Sequence, residues 1–119
     1  MKKSEAIYNF WNSFGVSAYD ESYVPDNTPF PYITYNYVDD EEFIASVSVW
    51  DKSYSWARVS DLVEQIGKRL GEKNYTLVPF DGGYFMLYQE HPFSQRMSDE
   101  DQTIRRAVLN VGGKRLARY

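Results

Sequence analysis

The sequence lacks cysteine altogether and has a single histidine, His91, among its 119 residues. Without cysteine the chain can form no disulfide bond, offer no thiolate nucleophile and hold no Cys-ligated zinc ion, which fits a reducing compartment. One histidine cannot supply a pair of imidazole ligands to a metal, and it leaves no obvious Ser-His-Asp triad. We therefore expect no cofactor and no metal, and we predict a structural or binding protein rather than an enzyme.

Long apolar stretches and phosphate-binding loops are also missing. The longest apolar run, residues 84–88, is far shorter than the roughly 20 residues that span a bilayer. Two lysines near the start resemble the charged end of a signal peptide, but polar residues interrupt the segment that follows them. Gly82-Gly83 and Gly112-Gly113 fit neither dinucleotide-binding nor P-loop spacing, so we interpret both as turns or bulges. These absences predict a soluble protein without a membrane partner.

Charge is distributed unevenly along the chain, whose net charge is −4. Residues 1–100 contain 8 Lys and Arg against 16 Asp and Glu, whereas residues 101–119 contain 5 against 1. The overall acidity argues against general nucleic-acid binding, which relies on clustered cations that contact phosphate. The basic end of the chain is better suited to an acidic protein surface.

Aromatic residues are in surplus, since they make up 18% of the chain and include 11 Tyr and 3 Trp. Aromatic rings fill cores, but a domain of this size cannot bury so many of them. Tyr and Trp combine a large contact area with a polar atom, which suits interfaces. We therefore expect some of these rings to face a partner.

The hydrophobic pattern predicts two helices. Apolar residues recur at helical spacing after Ser4 and again after Ser53 or Ser55, and the two segments end at Gly15 and Gly71. The second segment predicts a long helix that covers one face of a sheet through a stripe of Val59, Leu62, Val63, Ile66 and Leu70. The segment between the first helix and the first strand, residues 16–31, contains three prolines and is predicted to be a linker.

Strands are predicted wherever residues alternate between apolar and polar or flank a turn. The predicted strands are residues 32–38, 43–50, 75–80, 84–89 and 103–111. In the second of them, the residues expected to face the core are Phe43, Ala45, Val47 and Val49. The Asp-Gly step before the fourth strand predicts a hairpin.

The remaining segments complete an α+β fold. Residues 90–101 are predicted to be a loop or a single helical turn, and the basic tail, residues 112–119, is predicted to be loose. The predicted order is α-β-β-α-β-β-β, in a single domain that covers residues 1–119. Four to five mainly antiparallel strands form the sheet, with the long helix on one face and a short helix at the N-terminus.

An acidic turn and a basic strand suggest how copies of the chain could meet. The turn follows the first strand and consists of Asp39, Asp40, Glu41 and Glu42, which solvate readily. The last strand carries Arg105 and Arg106. We hypothesise that the acidic turn of one copy meets the basic strand of the next, because a head-to-tail contact closes into a ring when the rotation permits.

Three stretches of the sequence and the helix between them form a pattern that resembles a known family. The stretches are residues 29–35 (PFPYITY), 45–51 (ASVSVWD) and 105–111 (RRAVLNV), and the helix carries Leu62, Ile66 and Leu70. Together they resemble the tail-terminator, or tail-completion, proteins of long-tailed bacteriophages. The likeness covers residues 23–111 and involves element order rather than a catalytic motif.

The resemblance implies a structural virion protein of the head–tail junction that is assembled in the host cytoplasm and is not an enzyme. It implies a hexameric ring of this chain that caps the finished tail tube and joins it to the head-completion proteins. DNA passes through such a ring without specific binding, and an acidic lumen would keep DNA from sticking.

Contact residues are predicted in two places. The first is the end of the second strand and the turn after it, where Trp50, Asp51, Tyr54 and Trp56 are expected to contact a neighbouring subunit or the tail tube. The two tryptophans suit equally well a structural role as caps on the core. The second is the loop with His91 and Phe93, which we expect to contact a neighbouring protein.

Three other functions fit the same residues. The first is another head–tail connector or minor capsid protein. The second is a small monomeric module that binds a ligand or a protein on its sheet. The third is a hydrolase that uses a pair of carboxylates, which would need a cleft that shifts their pKa values apart.

Overall fold

The computed structural model describes residues 1–117, which form a six-stranded sheet and two α-helices. The elements in chain order are α1 (Lys3–Trp11), a 3-10 turn (Asn12–Phe14), β1 (Ser17–Asp20), β2 (Tyr32–Val38), β3 (Glu42–Lys52), α2 (Ala57–Leu70), β4 (Thr76–Phe80), β5 (Gly83–Met97) and β6 (Ile104–Ala117). The strand order is β1-β2-β3-β6-β5-β4, and every neighbouring pair is antiparallel except β1 and β2. The predicted α+β class is confirmed, but the sheet has six strands rather than four or five.

The core lies between one face of the sheet and the two helices. In β3 the predicted core residues Phe43, Ala45, Val47 and Val49 are all buried, as their alternation requires. Facing them, α2 buries Val59, Leu62, Ile66 and Leu70, while Val63 is half-buried. The helix α1 adds Ile7, Phe10 and Trp11 to the same core. The periodicity of the sequence therefore predicted this layer correctly.

The predicted linker contains an additional strand, β1. It pairs in parallel with β2, so that Ala18 lies beside Ile33. Asn12 holds β1 from the other side, because its side-chain oxygen accepts a hydrogen bond from the Ala18 N–H (3.0 Å) and its amide donates to the Ala18 carbonyl (3.1 Å). A four-residue strand held by a parallel partner and a side chain has no local signature, so residues 16–31 were wrongly predicted to be linker throughout.

Two strands are longer than predicted. The strand β5 continues through most of residues 90–101, which were predicted to be a loop, and β6 continues through Gly112 and Gly113. Both glycines are buried, and a Cβ at Gly113 would lie 2.2 Å from the Met86 carbonyl oxygen. Gly113 thus permits close contact with the backbone of β5, and Gly112 leaves room for the Glu90 side chain, so neither glycine ends the strand. Residues 112–117 of the predicted loose tail belong to β6, and residues 118–119 lie outside the described chain.

The hairpin between β4 and β5 forms at the Asp-Gly step, as predicted. Phe80 pairs with Gly83 across a two-residue loop of Asp81 and Gly82. Gly82 has φ of 93°, a conformation that other residues adopt only at a cost of about 1–2 kcal/mol.

The outermost strands of the sheet, β1 and β4, are both obstructed, whereas residues 94–97 of β5 pair with β6 alone. At β1, Asn12 occupies the N–H and carbonyl of Ala18. At β4, Pro79 has no N–H, and the Asp81 N–H just beyond the strand donates to the Met1 carbonyl (2.7 Å). Because free edges recruit further strands, these features disfavour growth of the sheet by edge pairing.

Candidate functional site

The helices leave one face of the sheet uncovered within residues 1–117, and we call it the open face. Register places three long side chains in one row across it, since Tyr32 pairs with Trp50 and Trp50 pairs with Arg106. The Tyr32 and Trp50 rings are stacked, with centroids 6.2 Å apart and planes 17° apart. The Arg106 guanidinium lies 4.4 Å from the Trp50 ring centroid. These three residues form a ladder across β2, β3 and β6.

Hydroxyl groups in the next row hold the ladder in place. The Trp50 Nε1–H donates to Thr34 Oγ1 (2.9 Å), and the Arg106 Nε–H donates to Ser48 Oγ (3.2 Å). Burial raises the pKa of the Tyr32 phenol above its usual value, because the ionised form would lose solvation. Tyr, Trp and Arg are the residue types that contribute most to binding energy at interfaces, and rigid placement reduces the entropy lost on binding.

The second tryptophan of the predicted contact region, Trp56, lies on the helix side of the same end of the sheet. Its ring lies between two guanidinium groups, with Arg96 at 4.5 Å and Arg105 at 5.3 Å from the centroid. The Arg105 Nη2 donates to the Tyr54 carbonyl (3.0 Å). Trp56 is half-buried and packs against the core, which agrees with the alternative role of a cap on the core. The Tyr54 ring is exposed beside it.

Asp51 is fully buried and bound within the chain. Arg58, at the start of α2, contacts both carboxylate oxygens, with Nη2 at 2.8 Å from Oδ1 and Nε at 3.0 Å from Oδ2. The Lys52 N–H also donates to Oδ1 (2.8 Å). This two-point contact joins the end of β3 to α2. The predicted contact residue therefore orients the adjoining turn and does not itself reach the surface.

The acidic turn lies at the opposite end of the sheet. Its first carboxylate, Asp39, is bound within the chain by Arg115 (2.8 Å) and Lys3 (3.3 Å). Asp40, Glu41 and Glu42 are exposed and form no ion pair with any described residue. Three of the four predicted carboxylates are therefore free to contact another molecule.

Distance separates these carboxylates from the predicted basic partners. The turn lies beside Lys114, which pairs in register with Glu42, whereas Arg105 and Arg106 lie near the start of β6. Eight residues separate Arg106 from Lys114, which is about 26 Å along a strand. Neither Arg105 nor Arg106 forms an ion pair within residues 1–117. One molecule cannot bring the two groups together, so their contact would require a second copy.

His91 and Phe93 belong to a bulge in β5. Pairing with β6 shifts between Gln89 and Ser94, and the Asn110 side chain donates to the Pro92 carbonyl (2.8 Å) within the bulge. His91 is exposed, whereas Phe93 is half-buried and packs against Gly67 of α2. The bulge and α2 border an open groove of about 800 Å³. The structure thus separates the two predicted contact residues, with one on the surface and one anchoring the bulge.

Two features of the site could not be read from the sequence pattern. One is Arg96, which covers Trp56 from a segment predicted to be a loop. The other is the ladder itself, because Tyr32, Trp50 and Arg106 become neighbours only through strand register. The alternation of β2 and β3 indicated which side chains share a face, but it did not indicate the order of the strands.

The described chain shows neither a metal cluster nor a membrane-spanning helix. No group of three or more His, Asp and Glu side chains within residues 1–117 is arranged to hold a metal ion. No helix in this part of the chain is long and apolar enough to cross a membrane. No protein-family model matches the sequence, and no curated protein matches it.

Proposed function

We propose that this protein is a structural subunit of a bacteriophage virion that assembles as a ring, caps the tail tube and joins it to the head-completion proteins. The ring is a hexamer in this proposal, and DNA passes through it without specific binding. The subunit acts through its surfaces and has no catalytic role. It assembles in the host cytoplasm and stays at the head–tail junction of the virion.

The observation that carries the proposal is the separation of unpaired charges to opposite ends of the sheet. Asp40, Glu41 and Glu42 lie at one end, and Arg105 and Arg106 lie at the other, each group without a carboxylate or cation partner in the described chain. Such an arrangement suits a head-to-tail contact between different surfaces, which forms closed rings. The ladder supplies rigid aromatic and arginine contacts where the acidic turn of the next copy would dock.

The placement of the segments that resemble tail terminators also supports the proposal. The three stretches lie in the neighbouring strands β2, β3 and β6, at the centre of the sheet. The helix α2, with Leu62, Ile66 and Leu70, packs over the opposite face from the ladder. Segments distant in the sequence thus form one continuous unit, as expected of a pattern that reflects a shared fold.

Charge reversal of the acidic turn tests the ring. We expect light scattering to give a mass near six subunits for the wild-type protein when tail tubes are present, and the triple variant Asp40→Lys, Glu41→Lys, Glu42→Lys to fail to form this ring. Reversal of Arg106 to Glu should restore assembly in that variant. A matched control reverses three exposed acids elsewhere: Asp26→Lys, Asp61→Lys and Glu72→Lys. Unchanged assembly of the turn variant, or equal loss in the control, would refute the contact.

A monomeric binding module is the second candidate, and the groove beside α2 favours it. Its volume of about 800 Å³ lies within the range of small-molecule sites, and Phe93 provides an apolar wall. The charged side chains around it include both signs, with Lys68 and Lys73 near Glu64 and Glu72. This module would be favoured over the ring subunit by a protein that stays monomeric, does not bind tail tubes and binds a small ligand. The His91→Ala variant should then lose ligand binding.

A further inference from the structure

The end of the open face nearest the acidic turn carries a cluster of exposed and half-buried apolar side chains, which we call the apolar platform. Its members are Val38, Ile44, Leu77, Met86, Tyr88 and Leu116. Val38 and Ile44 are 60% and 61% exposed, and Leu77 and Leu116 are 47% and 43% exposed. Strand register places these residues at one end of the sheet, across β2, β3, β6, β5 and β4. Two charged side chains lie among them: Lys114 pairs with Met86, and the Glu90 carboxylate lies over Gly112, which pairs with both Ile44 and Tyr88.

A platform of this kind indicates a binding surface. Five strands at a spacing of about 4.8 Å are about 24 Å wide, and six residues along the strands cover about 20 Å, which gives roughly 480 Å². This area includes Lys114 and the Glu90 carboxylate as well as the apolar side chains, and specific interfaces combine apolar and polar groups in this way. The edge strand beside the platform, β4, is obstructed by Pro79, which disfavours extension of the sheet on that side and favours a partner that stacks on the face.

The rest of the described surface has no match for the platform. The outer side of α2 is charged or polar, with Asp61, Glu64 and Lys68 exposed. Other strongly exposed rings, such as Tyr23 and Tyr54, come from separate loops. The surface of this chain that best complements the platform is therefore the platform of another copy, and a contact between identical surfaces is two-fold symmetric.

Charges among the apolar side chains of the platform fit the same symmetry. Glu42 and Lys114 are cross-strand partners, both are exposed, and no ion pair joins them or links either one to another described residue. In a two-fold contact, Glu42 of each copy can meet Lys114 of the other, so one pair of residues produces two ion pairs. We propose that a second copy of this chain occupies the apolar platform in a two-fold, face-to-face sheet contact.

The size of the platform sets the strength of this contact. Two platforms bury roughly 1,000 Å² in total, which lies at the low end of specific interfaces, where complexes are weak and transient. The dimer should therefore form reversibly as the concentration rises. Glu42 belongs to both the proposed ring contact and the dimer contact, whereas Ile44 and Lys114 belong to the dimer contact alone, so variants at Ile44 and Lys114 separate dimer formation from ring formation.

Sedimentation equilibrium of the full chain, without tail tubes, provides the first test. We expect the average mass of the wild-type protein to rise toward that of a dimer with concentration, and the Ile44→Asp variant to remain monomeric. The control is Tyr54→Asp, which introduces the same charge at an exposed ring far from the platform and should dimerise as the wild type does. Circular dichroism spectra verify that each variant is folded.

A charge exchange tests the symmetry. Glu42→Lys and Lys114→Glu should each weaken the homodimer, because each variant places like charges opposite one another twice. A mixture of the two variants should restore dimerisation as a heterodimer, because both contacts then join opposite charges. Native mass spectrometry of the mixture, with one variant isotope-labelled, distinguishes heterodimers from homodimers.

Three outcomes would overturn the proposal. They are a wild-type protein that stays monomeric at all concentrations, an Ile44→Asp variant that dimerises normally, and a mixture that forms no heterodimer. If the wild type is monomeric while Ile44→Asp abolishes the capping of tail tubes, the platform binds a different protein and the second copy is excluded. Failure of the Asp40, Glu41 and Glu42 reversal to affect the ring bears on the proposed function alone.

Discussion

The contact between Asp51 and Arg58 should make a large contribution to stability, and Arg58→Ala is the variant that measures it. Asp51 is fully buried, and Arg58 contacts both of its carboxylate oxygens. Removal of one partner from a buried ion pair costs about 3–5 kcal/mol, because the remaining charge stays buried without compensation. The Arg58 side chain is 56% exposed, which lets water approach when the guanidinium is removed, so we expect the lower value of about 3 kcal/mol.

Urea denaturation followed by tryptophan fluorescence provides the assay. Small proteins lose about 1–3 kcal/mol of stability per molar urea, so a loss of about 3 kcal/mol lowers the midpoint by about 1–3 M. The control is Lys68→Ala, which removes a cation of the same helix from an exposed pair with Glu64 and should cost less than about 0.5 kcal/mol.

A double variant separates lost charge compensation from lost packing. Asp51→Asn combined with Arg58→Ala leaves no buried charge, so it should be more stable than Arg58→Ala alone. The reasoning would be refuted if Arg58→Ala and Lys68→Ala had the same midpoint. It would also be refuted if Asp51→Asn lowered the stability of the Arg58→Ala variant as much as it lowers the stability of the wild type.

Two further predictions follow from the geometry. Burial, with Asp20 nearby, raises the pKa of the Tyr35 phenol from 10.0 to about 12, so ultraviolet titration should show one tyrosine that ionises only near that pH. Since the pKa of Tyr35 is higher in the folded than in the unfolded protein, its protonated phenol contributes stability that is complete below pH 10 and is lost as the pH rises through 12. The Tyr35→Phe variant should not show this loss. Identical alkaline unfolding of the wild type and the variant would contradict the assignment. Gly82→Ala should cost about 1–2 kcal/mol through its backbone alone, because φ is 93° and a Cβ there meets no atom within 4 Å. Gly82→Asn should cost less, since asparagine tolerates this conformation, and equal melting temperatures of wild type and Gly82→Ala would contradict the prediction.

The two proposed contacts divide the open face by chemistry. The ladder at one end offers rigid rings and an arginine, which suits an acidic partner, while the platform at the other end offers apolar area beside one charge of each sign. Neither contact uses a sheet edge, and the outermost strands β1 and β4 are obstructed by Asn12 and Pro79. Assembly through a face rather than an edge leaves the fold of the subunit unchanged on binding.

The local residue pattern was enough to predict helices, strands and turns that depend only on neighbouring residues in the sequence. The apolar stripe of α2, the alternation of β3 and the Asp-Gly hairpin each follow from spacing within a few residues, because a helix or strand buries its own periodic face. The surface position of the acidic turn was also predicted from the sequence, since four consecutive carboxylates rarely lie in a core.

Tertiary structure alone decided which of these elements meet. The strand β1 exists because β2 and the Asn12 side chain satisfy its backbone, and β5 continues past residue 89 because β6 supplies a partner after the bulge. Register between distant strands set Arg106 on Trp50 and Glu42 beside Lys114, and long-range salt bridges bound Asp39 within the chain. The sequence determined which side of each strand is apolar, whereas the order and register of the strands determined which side chains became a surface, because backbone pairing between distant segments leaves no local trace.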